Sequence, residues 1–230
     1  MRLVVLLPLL AALSAGCYWL LSSVQDPPGD VGLEVVTAPE PENRAAPNGN
    51  TTPTPSGGLE VRYAATPYTV TGSTDRELLA SLRAHGPRSD DGEWFFGLTE
   101  TEMDLTYRLA DLEAGCAVTD VRLGLEVAVS LPEWSAQADA GRTLVRDWRR
   151  FHRALSRHEA THREIAEDGA ETLFRHLEGL RRDNCGALEA EVRHRLRAAQ
   201  RDIEGAHRDY DARTGHGRTE GATWPPRRLG

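Results

Sequence analysis

Lysine is absent from this sequence: all 27 cationic side chains are arginine, set against 35 acidic ones for a net charge of −8. Using one cation throughout is read as coding bias and points to no chemistry. The acidic balance, with no basic stripe interleaved with aromatics, excludes nucleic acid as a partner. Cysteine is scarce, at three residues, and none has C-x-x-C spacing. That sets aside a zinc site built on cysteine.

What is present begins with Met1-Arg2 and an apolar run from Leu3 to Val24. As a helix this run is about 33 Å long, enough to cross a bilayer core. Residues 1–24 carry three open readings. They form a retained signal-anchor with Arg2 inside, a cleaved signal peptide with a site at Ser14-Ala15-Gly16, or a lipoprotein signal acylated on Cys17. Each sends the remainder out of the cytoplasm, either membrane-anchored with its domain in the periplasm or extracellular space, or secreted. Residues 25–57, rich in Pro, Gly, Asn and Thr and without apolar periodicity, read as a disordered tether. Residues 58–230 are then the one folded domain.

In that domain Leu59–Tyr63 and Tyr68–Gly72 read as short strands, and Ser73-Thr74-Asp75 as the cap of a helix starting near Arg76. Trp94–Leu98, Met103–Leu112 and Val118–Val129 read as a meander, the last two alternating as in a sheet with one wet face, with Pro132 as the stop. From Glu133 the chain reads as helical. A second helix, from about Ala187 to Arg208, folds back after a turn at residues 183–186. The expected class is α+β: a small, mostly antiparallel sheet packed with a long C-terminal helix pair. Cys116 and Cys185, an even pair in an exported domain, are expected to form a disulfide from the start of the last strand to the turn between the helices. Two buried free thiols are the alternative.

The chemistry centres on His158-Glu159-Ala160-Thr161-His162. In a helix, residues four apart share a face, so both imidazoles can reach one zinc ion while Glu159 acts as base on a water. The two histidines continue the apolar stripe of Leu144, Trp148, Phe151 and Leu155, so they face the fold. A solvated charged helix face, or a satisfied core histidine, is the bland reading of the same residues.

The third ligand is less determined. The metzincin extension is missing, with Ile165 where its glycine and Asp168 where its histidine would stand. Glu189 and Glu191 lie on the later helix. The segment from His207 to Gly217 is denser, and its glycine-flanked His216 is the favoured ligand, with Asp211 as alternative ligand or orienter. Tyr210, or His207, is a candidate oxyanion stabiliser.

From Tyr68 to Pro225 the chain resembles a bacterial family of domains of unknown function described as predicted secreted zinc-dependent proteases. The shared features are Tyr68-Thr69-Val70-Thr71-Gly72 with Leu78, Gly97-Leu98-Thr99, Cys116, Leu131-Pro132-Glu133-Trp134, the His158–His162 motif, Cys185 and the run Tyr210–Gly217. The resemblance implies a zincin-like site with His158 and His162 as ligands and Glu159 as base. Two functions are expected to compete. One is a zinc metallopeptidase acting on a protein or peptide substrate and reaching the membrane through its N-terminal segment. The other is a non-catalytic zinc-binding module of the cell envelope that works through partner contacts.

Overall fold

Alternating apolar and polar residues from Leu98 to Ser130 build one long hairpin, and the rest of the domain is laid against it. The computed structural model describes residues 2–3, 57–89, 92–135 and 140–226. The readings of residues 1–24 and of the tether therefore fall almost wholly outside the described residues. In chain order the elements are β1 (Arg2–Leu3), β2 (Gly58–Ala65), β3 (Tyr68–Val70), α1 (Asp75–His85), β4 (Leu98–Leu112), β5 (Gly115–Ser130), β6 (Pro132–Trp134), α2 (Arg142–Leu177), β7 (Arg181–Arg182), α3 (Cys185–Thr214) and a 3-10 turn at Arg218–Glu220. Among the described residues no helix is long and apolar enough to cross a membrane.

This is a small α+β fold with a mixed sheet. Strand β5 lies between antiparallel β4 and parallel β2, while β7 pairs with the start of β5 and β1 with β4. The expected antiparallel meander is thus corrected. The segment 94–97 is not a third strand, and the second neighbour of β5 is β2, which runs parallel to it. Side-chain contacts override strand propensity at Trp94. Its Nε1–H donates to the Leu82 carbonyl at the end of α1, and its ring meets Phe96 edge-on.

The helical reading from Glu133 is also corrected. Residues 132–134 pair in parallel with β3, the Trp134 indole donates to the Gly72 carbonyl, and α2 starts at Arg142. That helix runs 36 residues, about 54 Å at 1.5 Å per residue. Asn184 caps α3 through its side chain, and Gly215, in the left-handed region at φ 58°, ends it.

The apolar face of the sheet (Met103, Leu105, Leu123, Leu125) packs against the second half of α2 and the start of α3. A second cluster gathers α1, the first half of α2 and Trp224 around Phe151. His158 and His162 occur on α2 where the first cluster gives way to the second. Cys116 and Cys185 are joined, their Cα atoms 5.0 Å apart, tying the start of β5 to the first residue of α3.

Candidate metal centre

The antiparallel run of α2 and α3 decides which residues meet. Residues near 185 lie by the end of α2, so the last turn of α3 comes back over its middle. His158 and His162, each about 5 % exposed or less, face that turn. His158 Nε2 lies 3.0 Å and His162 Nε2 3.1 Å from the same Asp211 Oδ1. These three side chains are a set whose ligand atoms are close enough to hold one metal ion.

Each imidazole is gripped from behind. His158 Nδ1 is 3.0 Å from Glu220 Oε2, and the Tyr210 hydroxyl donates to the same carboxylate at 3.0 Å. The Tyr210 ring stacks on His158 with centroids 4.8 Å apart and 23° between planes. His162 Nδ1 is 2.9 Å from His207 Nδ1. Burial, then the neighbouring His162, holds His207 down at about 4, so it is neutral at pH 7.

Proton counting tests whether a cation fits. His158 has a carboxylate oxygen against each ring nitrogen, and a neutral imidazole has only one N–H. With Nδ1–H donating to Glu220, the Nε2 lone pair faces a carboxylate oxygen, which is stable only with a further proton or a metal ion between them. One of the paired His162 and His207 nitrogens must donate. When His162 does, its Nε2 is likewise bare toward Asp211. The two contacts to Asp211 also approach the edge of a tetrahedral zinc site with bonds near 2.05 Å, about 3.3 Å. The residues fit a zinc ion.

Charge follows the same arrangement. Burial pushes Asp211 up, but hydrogen bonds from His158, His162 and His216 outweigh it and hold the carboxyl well below its usual range. Burial pulls His158 down, yet Asp211, Glu159 and Glu220 leave it raised. Glu159 is 4 % exposed, and burial raises it despite His162 and the hydrogen bond that Thr99 Oγ1 donates to its Oε2 at 2.8 Å. Gly97 lies flush against this carboxylate, where an added Cβ would come within 2.7 Å of Oε1. His158, Glu159, His162 and Asp211 line one cleft of about 220 Å³, together with Trp94, Phe95, Phe96, Gly215 and His216, the Phe95 ring lying 5.6 Å from that of His216.

The remaining candidates take distinct places. His216 lines the cleft rim, half-exposed, with Nδ1 3.5 Å from Asp211 Oδ1 and its backbone left-handed at φ 54° between two left-handed glycines. It is outside the His158–His162–Asp211 set. Tyr210 is behind His158 with its hydroxyl on Glu220 and does not line the cleft; burial first, then Glu220, pushes it up to about 12. Glu189 and Glu191 are excluded as ligands. They sit in the first turns of α3, paired with Arg193 and with Arg182 and Arg195, about 30 Å along the helix from Asp211.

A family model matches residues 65–217, more than half of the chain. The chain belongs to the family described as bacterial protein of unknown function (DUF922). No curated protein and no solved structure matches it. The family match takes in His158, Glu159, His162, His207, Tyr210, Asp211 and His216, and stops before Glu220. Glu220 and Thr99 are the site residues that sequence reasoning missed. The signal for Glu220 was its isolation, as the only acid after Asp211; for Thr99 it was the Gly97-Leu98-Thr99 triplet, which carried no role.

Proposed function

We propose that this domain is a zinc-dependent peptidase acting outside the cytoplasmic membrane, with α2 as a zincin-like active-site helix. The observation that carries the reading is the convergence of His158 Nε2 and His162 Nε2 on one oxygen of Asp211, with buried Glu159 in the same cleft. His158, His162 and Asp211 would hold the ion, with His216 as the alternative third ligand. Zinc at such a site lowers the pKa of water toward neutrality and polarises a carbonyl. Glu159 takes a proton from the attacking water and returns it to the leaving amine. A carboxylate raised by burial holds that proton more readily than a solvated one. Thr99 fixes the Glu159 rotamer, and Glu220 and His207 fix the two rings so that each Nε2 is presented to the ion. Tyr210 positions Glu220. The aromatic residues 94–96 that line the cleft would lie against a peptide or protein substrate.

The test uses the full chain, purified with zinc, assayed against a mixed peptide library and analysed for metal. One zinc per chain and hydrolysis are expected. Glu159→Gln should keep the zinc and lose about 10²- to 10⁴-fold in kcat. Full activity in Glu159→Gln would end the peptidase assignment. One observation favours the alternative, a non-catalytic zinc-binding envelope module acting through a partner: Glu159 is tied to Thr99 and nearly closed off by Gly97. Under that reading Glu159→Gln would support growth as well as the native chain, and no peptide would be cut.

A further inference from the structure

The first half of α2 carries a charge pattern unlike any other part of the helix pair. Arg142, Arg146, Arg149, Arg150, Arg153 and Arg157 are all exposed, and at 100° per residue they fall within about 100° of arc along some 22 Å of helix. From Arg142 to His158 the sequence has one acid, Asp147, which is buried, with Arg146 Nε 3.5 Å from its Oδ1. The other five meet no carboxylate among the described residues. Four of these residues line one shallow groove on the helix surface. Elsewhere on the pair several arginines are matched four residues away, as in Arg163–Glu167, Arg193–Glu189 and Arg195–Glu191, and those without such a match (Arg197, Arg201 and Arg213) are spread along α3 among acids. Like charges four apart destabilise a helix, and in a chain of net charge −8 the pattern stands against the overall balance.

We propose that this arginine face docks the domain onto an anionic phospholipid bilayer. A face of six guanidiniums, five of them without a carboxylate partner among the described residues and each with a planar fork of donors, matches a flat field of phosphate groups. In the sequence an apolar run, residues 4–24, lies 33 residues upstream of β2, and that run in a bilayer would hold the domain beside the lipid surface. His158 and His162 project roughly on the opposite side of α2, so a domain resting on its arginines keeps the cleft turned away from the lipid. The inference does not depend on the peptidase reading.

The test reconstitutes the full chain into vesicles containing a dansyl-headgroup lipid, either pure phosphatidylcholine or one with a third phosphatidylglycerol. Energy transfer from tryptophan is read. Trp134 and Trp148 border Arg149 and Arg153, while Trp19 of the apolar run adds the same background in both lipids. Transfer should be higher in the anionic vesicles, fall on raising salt from 0.05 to 0.5 M, and fall in Arg142→Ala/Arg149→Ala/Arg153→Ala. The docked-to-free ratio should drop about fivefold per arginine removed. The control Arg175→Ala/Arg193→Ala/Arg208→Ala, with the same charge change, should leave transfer as in the native chain. Equal transfer in the two lipids, or an equal loss in both triple variants, would overturn the proposal. So would arginine-dependent binding of polyglutamate without any dependence on anionic lipid, which would make the partner an acidic protein.

Discussion

The two ends of the α2–α3 pair are held by different physics. At the chain-reversal end Leu173, Leu177, Leu188 and Val192 are buried together, a disulfide crosslinks Cys116 to Cys185, and the charged residues make surface ion pairs. At the other end the space between the helices is filled by His158, His162, His207 and Asp211, with Glu220 closing it. Buried polar groups of that kind are stable only when every one is partnered. The first end is complete without any addition. The second has lone pairs facing a carboxylate, so its stability is coupled to whatever cation satisfies them. The crosslinked apolar packing and the polar cluster thus lie some 30 Å apart along α3.

The largest effect that tests this division is loss of the crosslink. Closing a loop of 69 residues is worth about 4.4 kcal/mol in the chain-entropy account. Cys116→Ala/Cys185→Ala should lower unfolding stability by about that much in a urea titration and leave the zinc content as it was. Zinc loss along with the disulfide would show that the ends are not independent. Chelation is the converse experiment. With free zinc at a thousand times its Kd, stripping the proposed ion should remove about 4 kcal/mol. Hydrogen exchange should then quicken around residues 207–222 and stay slow around 185–196. Uniform quickening, or none, would remove the metal from the account of this end.

How much of this could be read in the sequence follows the same line. Where one apolar period decides, the sequence sufficed: the β4 and β5 alternation, and the α2 stripe that turns His158 and His162 inward. The disulfide, from β5 to α3, followed instead from the even cysteine pair. It failed where a side chain from far away decides. The strand expected at 94–98 was undone by the Trp94 contact with α1, and the helical reading from 133 by the pairing of 132–134 with β3. At the site, spacing alone located the two histidines and Glu159 because one helix carries all three. Asp211 depends on how α3 folds back over α2, and His216 and Glu220 on how the left-handed turn at residues 215–217 aims them; periodicity says nothing about either. Hence the sequence favoured His216 as ligand, whereas the set of converging ligand atoms contains Asp211.

A subtler probe of the polar end is Glu220→Gln, which keeps an acceptor for His158 Nδ1 and Tyr210 but removes the charge. A carboxylate behind a ligating imidazole raises its basicity, so zinc affinity should fall 10- to 100-fold with the fold intact, as read by competition with a chromophoric chelator. Unchanged affinity would make Glu220 a spacer that only packs against the ring.

The smallest effect belongs at the apolar end, and its smallness is what makes it useful. Arg193 and Glu189 form a half-exposed pair at 3.0 Å, one helical turn apart. Pairs of this kind contribute about 0.3–0.5 kcal/mol, because solvent screens them and two long side chains must be ordered. Arg193→Ala should therefore move the melting temperature by no more than about 2 °C. It should leave zinc content and affinity untouched, since among the described residues no chain of ion pairs or side-chain hydrogen bonds connects the first turns of α3 to its last. A measurable change in zinc affinity from so weak a surface contact would mean that α3 moves as one rigid lever. The separation of the two ends would then be a matter of composition and not of energetics.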